Sequence, residues 1–144
     1  MTKVLMALDV GDKTIGVAVS NELGWTEPVT TVRRVRQVQD LEQLRKIVVE
    51  REVTRVIVGL PFNMDGSEGP RAKKSRRFAD AAREALGVQV LLWDERLTTF
   101  EAHARLIDAG VSRERRREIV DMVAAQNILQ AYLDAGCPEE GHGG

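Results

Sequence analysis

The chain has 144 residues, 43% of them hydrophobic and 30% charged, with a formal net charge of −1. Those totals describe a single domain with a sizeable core, and they exclude wholesale disorder and bulk polyanion binding. No apolar run approaches the roughly 20 residues that cross a bilayer, and no N-terminal signal pattern is present. The single cysteine, Cys137, cannot form an internal disulfide, as expected of a chain in the reducing cytoplasm.

Residues 4–20 (VLMALDVGDKTIGVAVS) carry two apolar, β-branched runs around a polar centre. The first run is nearly continuous and predicts a strand covered on both faces. The second alternates through Ile15, Val17 and Val19 and predicts one buried face. Gly11 and Gly16 suit a tight reversal between the two. Residues 26–35 (TEPVTTVRRV) predict a third strand, which Pro28 confines to an edge or to the strand's start. The period then changes. Leu41, Leu44, Ile47 and Val48 fall at helical spacing over 40–51, with Asp40 as the N-cap. Residues 54–60 (TRVIVGL) predict a buried parallel strand, and 61–69 (PFNMDGSEG) a loop. Pro70 opens a helix ending near Gly87, whose first turns carry Arg71, Lys73, Lys74, Arg76 and Arg77. Residues 88–93 predict the last strand, with Asp94 and Glu95 just past its end. Thr98 and Glu101 form a capping-box pattern for a short helix closed by Gly110. Ser112 then caps a long helix to about Ala135, with Gly136 and Pro138 as stop signals. Residues 1–136 read as one domain and 137–144 as a disordered tail.

The order β-β-β-α-β-α-β-α-α predicts an α/β fold, a mixed five-stranded sheet with helices on both faces. Right-handed crossovers bring the ends of strands 54–60 and 88–93 beside the end of the first strand, the edge where such sheets place their sites. Acids collect there. Asp9 ends the first strand, and Asp94 and Glu95 follow the last. Asp121 stands at the upper margin of a helical face otherwise made of Ala124, Ala125, Ile128 and Tyr132. Each has a plain structural reading: Asp9 as a turn residue, Glu95 paired with Arg96 or Arg55, Asp121 as an edge residue of a packing face. Together, acids converging without an arginine for each repel one another unless a divalent cation neutralises them. Mg²⁺ or Mn²⁺ suits an all-oxygen set with no His or Cys cluster, and two such ions can drive hydrolysis of a phosphodiester.

Four blocks resemble the YqgF family, also called RuvX, of the RNase H-like superfamily that includes the RuvC resolvases. They are ALDVGDKTIGVAVS (7–20), VGLPFNMDGSEGP (58–70), WDERLTT (93–99) and DMVAAQNILQAYLD (121–134). The resemblance implies an RNase H-like fold and a metal-dependent nuclease whose catalytic and metal-binding acids are Asp9, Glu95 and Asp121. It implies nucleic acid as the partner: a pre-16S rRNA precursor matured at its 5′ end, or alternatively a four-way DNA junction resolved by a dimer. A monomer or weak homodimer is expected, since no coiled coil or strongly apolar dimer stripe is visible. Substrate contacts are expected from Gly11 and Lys13, from Asn63, Asp65 and Ser67 as a mobile substrate loop, and from Arg71 and Lys74 at a helix start. Thr14 stands where the family usually has arginine, and Asn21 where it tends to have an acid. The loss of the arginine removes one expected phosphate contact. The turn at Asp9 also resembles the first phosphate loop of actin-like and sugar kinases, but those need a second copy of the fold. A non-catalytic binding module is disfavoured by three intact acids.

Overall fold

The computed structural model describes residues 3–21, 23–97 and 112–138. The short helix read from Thr98 to Gly110 and residues 139–144 lie outside that set. The elements are β1 (Val4–Val10), β2 (Thr14–Ser20), β3 (Thr26–Arg33), α1 (Gln37–Glu50), β4 (Val53–Leu60), α2 (Pro70–Leu86) and β5 (Gln89–Asp94), then a single 3₁₀ turn (Glu95–Leu97) and α3 (Arg113–Asp134). They form one sheet in the order β3-β2-β1-β4-β5, antiparallel through the hairpins and parallel from β1 to β4 to β5. β3 is an edge strand, as Pro28 requires.

Alternation along β1 sorts its side chains to two cores. Met6, Leu8 and Val10 pack with Leu41, Leu44 and Val48 of α1 and Phe78, Ala79 and Ala82 of α2. Leu5 and Ala7 face the other way, onto Ile57, Trp93 and the α3 residues Ile128, Leu129 and Tyr132. Asp9 follows Ala7 by two positions, so it emerges on the α3 side of the sheet. The Trp93 and Tyr132 rings meet edge to face, 5.7 Å between centroids. Past the helix, Cys137 packs partly against this core, and its N–H donates to the Tyr132 carbonyl.

Three local expectations are corrected. β2 is buried on both faces, not one. Ile15, Val17 and Val19 enter the α1–α2 core, while the small residues Gly16 and Ala18 are also covered. Gly16 lies inside the strand and has no part in the reversal. A Cβ there would sit 1.9 Å from the Asp121 carbonyl oxygen, so its role is to admit the α3 backbone. The turn instead rests on Gly11, whose N–H donates to the Thr14 carbonyl. Asp40 is not an N-cap either, because α1 already begins at Gln37. Its buried carboxylate accepts the Val35 N–H and pairs with Arg34 at 3.2 Å. Arg34 in turn donates to the Gly11 carbonyl at 2.9 Å and lies over the Phe78 ring. Asp40 therefore braces the β1–β2 turn through Arg34, which lies 6 residues from Asp40 and 23 from Gly11, a tertiary link that helical periodicity does not reveal.

Candidate active site

Asp9 is flanked by glycines on both neighbouring strands. Gly16 is its direct partner on β2. Gly59 on β4 lies one step past the Leu8–Val58 pair. The two missing side chains open a hollow on the α3 face, and each is filled by a carboxylate-bearing segment. Opposite Gly16 comes the Asp121 backbone. Opposite Gly59 comes Glu95, whose Oε1 would lie 2.6 Å from a Cβ built there, with Ile128 Cδ1 at 2.7 Å. The hollow places Glu95 and Asp121 on either side of Asp9.

Glu95 is carried there by the turn after β5. Asp94, 4% exposed, accepts the Arg96 N–H at 2.9 Å and holds the Arg96 guanidinium through Nε and Nη2. That fork, with Arg96 lying over the Phe62 ring, fixes the turn. Arg96 is thus committed to Asp94, and Arg55 bonds Gln89 and the Tyr132 hydroxyl, so Glu95 pairs with neither arginine. Asp121 is oriented by Thr14, whose hydroxyl donates to its Oδ2 at 2.7 Å. The residue that replaces the family's usual arginine thus acts on the third acid. Asn21, the other departure, closes the β2–β3 turn by accepting the Leu23 and Trp25 N–H groups.

Asp9 and Glu95 are in hydrogen-bond contact, which requires that one of them carry a proton. Burial pushes both up, and the neighbouring Asp9 charge helps to raise Glu95 to about 8. Asp121 raises Asp9 further, while Arg71 at the start of α2 pulls both acids down. The cost of this crowding is met by packing. Repulsion between partly buried carboxylates a few ångströms apart is about 2–4 kcal/mol. Ile128, Leu129 and Tyr132, all fully buried, hold α3 down at roughly 1.5–3 kcal/mol each.

A pH prediction follows. A carboxyl group whose folded pKa is raised stabilises the fold below its unfolded pKa, and that contribution is lost as pH rises through the folded value. The metal-free protein should therefore lose stability between about pH 4.5 and about pH 8, the window set by Glu95. The loss should be on the order of 5 kcal/mol. Thermal melts in EDTA across that range check it, and a melting temperature flat or rising through the window would contradict it.

The substrate residues read from the sequence fall into two groups. Arg71 faces the acid pair electrostatically, and Lys74, one turn later, reaches Asp12 of the β1–β2 turn at 3.3 Å. Asn63, Asp65 and Ser67 bond chiefly to one another: Asn63 Nδ2 to Ser67 Oγ, and Ser67 N–H and Oγ to Asp65. Their loop is internally tied. Lys13 is exposed, and its carbonyl accepts the Arg34 N–H. Glu118 bonds Arg33 and Arg115, which hold it below the usual carboxylate range, so it is a surface ion-pair member. Among the described residues, no three of His, Cys, Asp and Glu close into a metal cage as the side chains stand. The sheet glycines that shape the hollow, Gly16 and Gly59, carry no functional group that marks them as site residues in the sequence. A glycine inside a strongly β-branched strand was the available signal.

The sheet order, the helices on both faces and the acids gathered at the end of the central strand define an RNase H-like domain. Its fold is that of Thermus thermophilus RuvC, solved in complex with a Holliday junction substrate, with a TM-score of 0.57 over 93% of this chain and 96% of that one at 14% identity. The fowlpox virus Holliday junction resolvase gives 0.51 over 92% and 98% at 12% identity. The family model described as "RuvX: Holliday junction resolvase" matches residues 3–135, and the chain belongs to that family. A Myxococcus xanthus protein named "Putative pre-16S rRNA nuclease" is 58% identical over 94% of this chain and 90% of its own length. A Heliobacterium modesticaldum protein of the same name is 52% identical over 91% and 89%.

Proposed function

We propose that this protein is a divalent-metal-dependent nuclease acting on structured nucleic acid, with the 5′ end of pre-16S rRNA as its substrate. The observation that carries the reading is the half-buried Asp9–Glu95 carboxyl pair, with Asp121 beside it, in a chain whose relatives are named for that activity. Two acids that must share a proton at neutral pH form an oxygen donor set that a hard cation can occupy in the proton's place. Asp9 and Glu95 would hold it, with Asp121 as the third acid. A bound Mg²⁺ or Mn²⁺ would supply Lewis-acid stabilisation of the charge developing on the scissile phosphate, and two ions suit such a displacement.

The chain's own residues do the rest. Thr14 holds Asp121 in orientation. The Asp94–Arg96 fork fixes Glu95 on its turn, and the Asp40–Arg34 brace fixes the loop after Asp9. Arg71 tempers the negative field and offers a cation to the incoming phosphate. Lys13 and Lys74 add cations on the same edge of the sheet. None of the described helices is long and apolar enough to cross a membrane. A single cysteine, with no disulfide possible within the chain, fits the reducing cytoplasm.

The test compares cleavage of a pre-16S rRNA fragment and a four-way DNA junction in Mg²⁺, Mn²⁺ or EDTA. Cleavage of the RNA, abolished by EDTA, is expected. Absence of cutting on both polymers, or cutting that survives EDTA, would sink the proposal. Cutting of the junction alone would favour resolution of branched DNA, the activity named in the family description, and would call for a dimer with two sites.

A further inference from the structure

We infer that a cleft between the β1–β2 turn, the start of α1 and the middle of α2 binds non-scissile backbone phosphates of the nucleic acid whose cleavage the acids carry out. The inference rests on the nuclease reading and extends it to a surface outside the acid hollow. The cleft has a volume of about 500 Å³ and is lined by Arg34, Val35, Arg36, Lys74, Arg77 and Phe78, among others. Four cations face two carboxylates there, Asp12 and Asp40.

The cations are not equivalent. Arg34 is taken up by Asp40, by the Gly11 carbonyl and by the Phe78 ring, so it forms part of the wall. Lys74 pairs with Asp12, but the two side chains are 59% and 69% exposed, and such a pair is worth at most about 1 kcal/mol. A phosphate can displace it. Arg36 and Arg77 are exposed and have no ion pair among the described residues. α1 begins at Gln37 beside them with no side-chain cap on its first amides, which adds the positive end of a helix to the same cleft. Two free arginines, a weakly held lysine and an uncapped helix end form an anion site.

Position argues for a polynucleotide. Arg71, Lys74 and Arg77 succeed one another at three-residue spacing along α2. Arg71 lies within electrostatic reach of Asp9 and Glu95, and Arg77 lies in the cleft. The three residues span about 9 Å along the helix axis, and they lead from Arg71, near the acids of the α3 face, round the carboxyl edge of the sheet to Arg77 in the cleft on the α1–α2 face. A backbone whose scissile phosphate sits at the acids can follow that row of cations into the cleft.

The test measures binding of a fluorescein-labelled RNA hairpin with single-stranded flanks by anisotropy in EDTA, for wild type and two double variants. Arg36→Gln with Arg77→Gln should weaken binding about 10-fold or more near 0.1 M salt and reduce the slope of log K against log[salt] by about 1.5. Lys46→Gln with Arg51→Gln removes the same charge at the far end of α1, including the exposed Arg51–Glu27 pair worth at most about 1 kcal/mol, and should leave affinity and slope unchanged. All four side chains are exposed, so melting temperatures should match wild type and report an intact fold. Unchanged binding by the Arg36/Arg77 variant overturns the inference, as does equal weakening by both double variants or a wild type that does not bind. Failure of wild type to cut any polymer with Mg²⁺ or Mn²⁺ would instead overturn the nuclease reading, so the two failures are read separately.

Discussion

Asp9→Asn is expected to reduce cleavage by a factor on the order of 10³ or more, a barrier increase of about 4 kcal/mol. In EDTA near pH 8 the same variant is expected to melt above wild type, by roughly 3–6 °C for a gain of about 1–2 kcal/mol. The two effects have one cause. Asp9 lies half-buried against Glu95; burial, with the Asp9 charge beside it, holds the Glu95 carboxyl up at about 8, so without a cation the pair keeps a proton. Asparagine keeps the shape and can donate its amide N–H to Glu95. It removes the like charge that a divalent ion would need as a ligand. The gain should shrink toward pH 5, where the wild-type pair is protonated and unstrained. A variant that still cuts at the wild-type rate, or that melts below wild type in EDTA near pH 8, would refute this account of the hollow.

Gly16→Ala carries the largest expected effect on stability. The added Cβ would stand 1.9 Å from the Asp121 carbonyl oxygen and 2.5 Å from its carbonyl carbon. Both are backbone atoms of a helix held by Ile128, Leu129 and Tyr132, so no side-chain rotation relieves the clash. Overpacking against movable side chains costs about 1–3 kcal/mol, and a backbone contact this short belongs at or beyond the upper end. The helix must lift from β2, and Asp121 moves with it. Thr31, which donates to the Glu118 carbonyl at 2.7 Å, and Gln126, which donates to the Thr26 carbonyl, tie the same helix to β3 and resist the shift. A urea unfolding midpoint unchanged from wild type would show that the close approach is not required. The expected outcome is a loss of about 3 kcal/mol or more together with loss of cleavage.

Much of this site is legible in the residue order. Alternation along β1 sends Leu5, Ala7 and Asp9 to one face, and the helical spacing of Ala124, Ala125, Ile128 and Tyr132 aims Asp121 at the same edge. Both patterns are local and periodic, and both hold in the structure. The element order and the edge position of β3 are legible for the same reason. Asp40 shows where local reading stops. A carboxylate at the start of a helix resembles a cap, yet this one is turned to Arg34, whose guanidinium also reaches the Gly11 carbonyl and the Phe78 ring. Burial on both faces of β2 likewise depends on α3, nearly a hundred residues later in the chain.

The sequence by itself determines the strand and helix order, the acids at strand and helix margins, and the family to which those motifs belong. It does so because amphipathic period, turn chemistry and motif spacing are properties of neighbouring residues. Only the tertiary structure decides that Gly16 and Gly59 flank Asp9 and open the hollow, and that Asp9 and Glu95 come together in it. The same holds for Thr14, whose hydroxyl steers Asp121 across a separation of 107 residues. These facts depend on strand register and on the distance at which α3 is packed, and no stretch of neighbouring residues encodes either one.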